Sequence, residues 1–135
     1  MSVSAFEFLQ LAESLNNIEE LTEMDIRTSA SRAYYAIYHA ILPISRQCLP
    51  LSSQTRGGVH AKTIRQLENG NPELFKEMNR DVVSLAIRIK NIKHIRTRAD
   101  YNLSANFRKE ETTRCLDEAK HTLNKITEIN LLLKK

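Results

Sequence analysis

Tryptophan is absent, and glycine and proline occur only three times each in 135 residues. A chain so poor in turn residues does not suit a β fold of many short strands, so composition points to helix. Cysteine is scarce as well. Cys48 and Cys115 lie far apart, with no Cys-x-x-Cys or Cys–His spacing, which leaves a zinc site or a disulfide framework without support. Two reduced thiols in a cytoplasmic protein are the expectation. No apolar run approaches the roughly 20 residues of a membrane span, and the first residues lack a basic stretch followed by an apolar one. Walker loops, dinucleotide glycine fingerprints, zinc-protease motifs and nucleophile elbows are also missing. Those absences remove the easiest enzyme assignments, and no cofactor, metal or membrane partner is expected.

What is present is ordinary in amount and uneven in place. Hydrophobic residues make up 41% and charged residues 27%, enough for a single domain over residues 1–135 that buries a core without cross-links. The net charge is +4 and the pI about 9.2, which suits an anionic partner such as RNA. Arg88, Lys90, Lys93, His94, Arg96 and Arg98 crowd one segment, while Arg27, Arg32 and Arg46 line another. The two basic groups are expected to meet.

Apolar spacing of three and four predicts the first helix over Ser4 to Asn16. Thr22 followed by Asp25 has the character of a capping pair, so a second helix is expected from near Glu23 to about Ile41. Pro43 then kinks or ends it, and Ile44 and Cys48 extend its stripe if it only kinks. Residues 50–58 read as a loop, Val59 to Leu67 as a short helix ended by Gly70, and Asn71-Pro72-Glu73 as a helix start. Leu74 to Ile95 is the longest helical pattern, with a joint expected near residues 79–81 and an inner stripe of Val82, Leu85, Ala86, Ile89 and Ile92. From about Lys109, Thr112, Leu116, Ala119, Leu123, Ile126, Asn130 and Leu133 recur at alternating steps of four and three. No strand-like alternation or repeat interrupts this. The predicted fold is all-α, an antiparallel bundle of four to five helices.

Residues 27–42 stand out. Ala30, Ala33, Tyr34, Ile37, Tyr38 and Ile41 form an apolar stripe roughly 140° wide at about 100° per residue. The opposite side carries Thr28, Ser31, Arg32, Tyr35 and His39 rather than the Glu, Lys and Gln of an ordinary solvated face. An arginine clamps a phosphate with paired donors, and an imidazole that titrates near neutrality moves protons. Arg96 and Asp100, one turn apart and followed by Tyr101, make a second constellation. An ion pair within the helix is the structural alternative for that spacing, and an exposed face with a stray aromatic is the alternative for Tyr35.

Three pieces in order, the run Ser31-Arg-Ala-Tyr-Tyr-Ala-Ile-Tyr-His39-Ala40, the Gly58-Val59-His60 turn and Arg96-Thr-Arg-Ala-Asp100-Tyr101 at a later helix end, resemble the small stand-alone HEPN-domain proteins. The resemblance covers residues 28–104. It implies a helical bundle that dimerises, in a family of metal-independent endoribonucleases, toxin–antitoxin components, phage-defence effectors and non-catalytic nucleotide- or RNA-binding modules. Its ribonuclease members carry Arg, four to six residues, then His on a later helix. Here the positions after Arg96 hold Tyr101, Asn102 and Leu103, whereas Arg32 and His39 have six residues between them on an earlier helix.

The favoured reading is an endoribonuclease effector of a toxin–antitoxin or phage-defence system. Arg32 and Arg96 hold the scissile phosphate, His39 acts as general acid or base, and Tyr35, Asp100, Tyr101, Arg98 and His60 contact the substrate. The partners implied are RNA or a nucleotide, a second copy of the chain, and an antitoxin or nucleotidyltransferase. One alternative is a non-catalytic binding module acting with a nucleotidyltransferase or other effector. Another is a structural helical dimer whose polar face is an interface.

Overall fold

The computed structural model describes residues 4–134. Its elements are α1 (Ala5–Asn16), α2 (Glu23–Arg46), α3 (Val59–Asn69), the single turn α4 (Pro72–Phe75), a 3-10 turn (Lys76–Met78), α5 (Asn79–Tyr101) and α6 (Lys109–Leu133). Among the described residues there is no strand, and no helix is long and apolar enough to cross a membrane.

Contacts between named residues give the directions. Ala12 meets Ser29 and Phe8 meets His39, so α1 and α2 are antiparallel. Arg27 meets Ala99 and Tyr35 meets Arg96, which makes α5 antiparallel to α2. Asp81 pairs with Lys125 and Arg98 with Glu111, so α6 runs against α5. Thr112 and Cys115 reach the carbonyls of Ile26 and Ala30, so α6 runs along α2. The result is an up-down-up-down bundle of α1, α2, α5 and α6. The shorter α3 is inserted between α2 and α5, held to α2 by Ser45 on the Thr63 carbonyl.

α2 is the central element, packed against α1, α3, α5 and α6. Its capping pair forms as expected: the Thr22 hydroxyl accepts from the Asp25 N–H at 3.1 Å, and the Asp25 carboxylate accepts from the Thr22 N–H at 3.1 Å. The six apolar residues of its stripe are all buried, as are the five of α5. The helix does not stop near Ile41 but runs on to Arg46 with Pro43 inside it, and Ile44 and Cys48 extend the buried stripe. Proline deprives the carbonyl four residues earlier of its donor. That carbonyl belongs to His39, and both residues are exposed, so the freed acceptor lies on the side of the helix open to solvent.

The joint before α5 falls earlier than residues 79–81. The break lies at Lys76, the one non-glycine with positive φ (53°) among the described residues, and the Asn79 side chain accepts from the Asn71 N–H at 2.7 Å, tying the start of α4 to the start of α5. Gly70 makes this possible, since it has φ +58° and a Cβ there would lie 2.4 Å from Asn79 Oδ1. On α6 the buried face is wider than the four-and-three pattern indicated, because Cys115, Thr122 and Ile129 are buried beside Leu116, Ala119 and Ile126. Burial pushes the Cys48 thiol up to about 11 and the Cys115 thiol up to about 12. Both cysteines are free.

Candidate functional site

α2 and α5 cross so that the aromatic run of one meets the basic run of the other. The centre of the crossing is Tyr35. Its hydroxyl accepts a 2.9 Å hydrogen bond from Arg96, whose guanidinium carbon is 5.3 Å from the ring centroid. Arg32 approaches the same ring at 5.1 Å. One arginine from each basic group, Arg32 and Arg96, thus meets the other on one aromatic ring.

The two arginines have different surroundings. Arg96, with its side chain 12% exposed, is 2.8 Å from Asp100 Oδ2 through Nε. The N–H is not aimed at the oxygen, so the contact is a close ion pair rather than an aligned hydrogen bond. Asp100 Oδ2 also accepts from Ser31 at 3.1 Å. The Arg96 guanidinium lies within 5.2–5.4 Å of the ring centres of Tyr34, Tyr35 and Tyr101. It is occupied within the fold. Arg32 has no ion pair or hydrogen-bond partner among the described residues, and its Nε is buried without an acceptor. The Phe8 and Tyr35 rings are at 5.9 and 5.1 Å from its guanidinium carbon, so aromatic faces are its only attraction.

His39 completes this outer patch. It is exposed, with its ring 5.3 Å from Phe8, 5.8 Å from Tyr38 and 6.4 Å from Tyr35. Phe8, Arg32, Tyr35 and His39 thus form a face of two aromatic rings, one cation without a counter-ion and one solvent-facing imidazole.

His60 belongs to the inner half. Tyr34 is fully buried, and burial pushes its phenol well above the usual range, so it keeps its proton. That hydroxyl shares a 2.7 Å hydrogen bond with His60 Nδ1, whose direction follows the imidazole tautomer. Tyr38 stacks on the same ring at 3.9 Å. Burial, then the charges of Arg96, Lys93 and His39, hold the His60 imidazole below its ordinary value.

Of the residues singled out by sequence, Arg32, Tyr35, His39, His60, Arg96, Asp100 and Tyr101 come together. Tyr101 is 70% exposed at the rim, 3.5 Å from Arg96 through its hydroxyl. Arg98 does not join them. It pairs with Glu111 and lies over Phe107, on the side of α5 that faces α6. Arg27 is not a surface cation either. It is 4% exposed and donates to the carbonyls of Arg98, Ala99, Asn102 and Ala105 at 2.7–3.1 Å, which caps the negative end of α5. Phe8 was missed by sequence, where it is one apolar residue of an amphipathic helix. The partnership of Tyr34 with His60 was likewise invisible, because Tyr34 falls in the core stripe.

Among the described residues no three His, Cys, Asp or Glu side chains converge as metal ligands. Comparisons with protein-family models, curated proteins and solved structures return no match to this chain.

Proposed function

We propose that the protein is an RNA-directed, HEPN-like endoribonuclease, an effector of a toxin–antitoxin or phage-defence system, with Arg32 as the phosphate clamp and His39 as the proton-transfer group. The observation that carries this is Arg32. A half-buried guanidinium with no acceptor, flanked by aromatic faces and beside an exposed imidazole, is arranged for an anionic ligand with stacking bases. An unpartnered buried donor costs about 1–3 kcal/mol, which a bound phosphate relieves.

The reaction class is phosphoryl transfer. The RNA 2′-oxygen attacks the adjacent phosphorus as its proton passes to His39; the bond to the 5′-oxygen breaks, and that oxygen takes up a proton. Arg32 neutralises charge on the phosphoryl oxygens. Arg96 is a positioning residue in this scheme, holding Tyr35 and Tyr101 through its hydrogen bonds. The second proton-transfer group comes from a twofold-related copy, in line with the dimer that the HEPN resemblance implies.

One observation favours a second reading, a non-catalytic RNA- or nucleotide-binding module acting with a nucleotidyltransferase. The other imidazole of the cluster, His60, is committed to its hydrogen bond with Tyr34 and its stack on Tyr38, so the cluster of a single chain offers only His39 for both proton transfers. His39→Ala decides between the two. Loss of a general acid or base costs about a hundredfold to ten-thousandfold in rate, whereas loss of one neutral hydrogen bond weakens binding by about tenfold or less. RNA cleavage in EDTA should vanish in the variant while affinity falls little. A wild type that binds RNA without cleaving it would leave the binding module.

A further inference from the structure

Beside the aromatic patch, α3 and α5 enclose an open groove of about 590 Å³. Its walls carry Arg65 and Glu68 from α3 and Lys90, Lys93 and His94 from α5, over an apolar floor that includes Ile64. Glu68 is committed to Lys90. Arg65 bonds only to the uncharged carbonyl of Arg56, and Lys93 has no carboxylate within 4 Å among the described residues. Two cations and an exposed imidazole therefore face the groove without counter-charge. The groove also adjoins the site. Ala61 at its edge follows His60, and on α5 the Lys93 position is turned only about 60° from that of Arg96.

We propose that this groove takes the phosphate backbone of single-stranded RNA leading away from the Arg32–Tyr35–His39 patch, an inference that rests on the RNA-directed reading above. Uncompensated cations favour a polyanion over an acidic side chain, which needs one partner rather than a track. A cleft between two helices fits one strand, since duplex RNA is read across an extended face spanning two minor grooves. The aromatic rings at one end and cations at the other match the division of labour in single-strand binding, where bases stack and a basic groove follows the backbone.

Fluorescence anisotropy with labelled oligouridylates of four and twelve nucleotides, and with a twelve-pair RNA duplex, tests this across a salt series. Wild type should bind the 12-mer more tightly than the 4-mer and than the duplex. Arg65→Gln with Lys93→Gln should weaken the 12-mer by about tenfold or more and flatten its log–log salt slope by about 1.4, roughly 0.7 per lost phosphate contact, while the 4-mer is held as before. Lys93→Gln alone should produce about half of that slope change, and an unchanged melting curve for it excludes misfolding. If Arg32→Ala weakens both lengths but the groove variants bind the 12-mer like wild type, the groove assignment fails and the RNA-directed reading stands. If wild type binds neither length, both fail. Equal affinity for duplex and single strand would overturn the single-strand assignment.

Discussion

The hydroxyl of Tyr35 accepts a 2.9 Å hydrogen bond from Arg96 across 61 residues of sequence. This bond joins the aromatic run of α2 to the basic run of α5, and it divides the labour between two arginines. Arg96 is consumed in holding Tyr35, Tyr101 and Asp100, which leaves Arg32, on the other side of the same ring, with free donors.

That division predicts opposite outcomes for two similar substitutions. Arg96→Ala leaves Asp100 without its cation and Tyr35 without its donor in a mostly buried setting, and should cost about 1–3 kcal/mol in urea unfolding. Arg32→Ala removes no bonded partner and should cost less than about 1 kcal/mol. It should instead weaken RNA binding uniformly across sequences and flatten the salt slope by about 0.7. A strongly destabilised Arg32→Ala would make that arginine structural.

Arg27 should behave as a core residue in spite of its charge. Its guanidinium donates to four carbonyls at the end of α5 and in the following loop. The Arg98 and Asn102 carbonyls keep a backbone donor without it, so Arg27→Ala strands the Ala99 and Ala105 carbonyls and empties a buried site, and should cost about 3 kcal/mol. Arg27→Lys should recover only part of this, because one ammonium cannot reproduce the planar fork. Hydrogen exchange should localise the loss to residues 98–107. Wild-type protection there would contradict the capping role.

His60 makes stability depend on pH in a stated direction. Its folded-state pKa is depressed by burial and by the neighbouring charges, so the unfolded chain binds the proton more readily. The contribution is fully present above the unfolded value of about 6.5 and is lost as pH falls from there through the depressed folded value. Thermal unfolding followed from pH 8 to pH 5 should show a falling melting temperature, with a shallower fall in His60→Phe. The readout is the difference in slope, because the variant also strands the Tyr34 hydroxyl. Equal slopes would show that His60 is not protonated on unfolding in this range.

Periodicity along the chain determined the helices and their inner faces. The Thr22–Asp25 cap, the start of α3, the apolar stripes of α2 and α5 and the start of α6 depend on residues within a few positions of one another, and all are local in the structure. Pro43 shows where local rules reach their limit. Whether a helix ends or continues at a proline depends on what its next turn buries, and Ile44 and Cys48 bury against the core. The fate of most arginines was beyond sequence, the intrahelical pairing of Arg96 with Asp100 being the part that spacing offered. Arg27, Arg32, Arg96 and Arg98 carry the same charge and similar neighbours in sequence. Only the packing of α1, α5 and α6 around α2 buries Arg27 against carbonyls, sets Arg96 on Tyr35, turns Arg98 to Glu111 and leaves Arg32 between Phe8 and Tyr35. A guanidinium's role is set by the acceptors within hydrogen-bond reach, and apart from the Asp100 carboxylate one turn from Arg96 these come from elsewhere in the chain: the carbonyls that hold Arg27 lie 71 to 78 residues away and the Tyr35 hydroxyl lies 61 from Arg96.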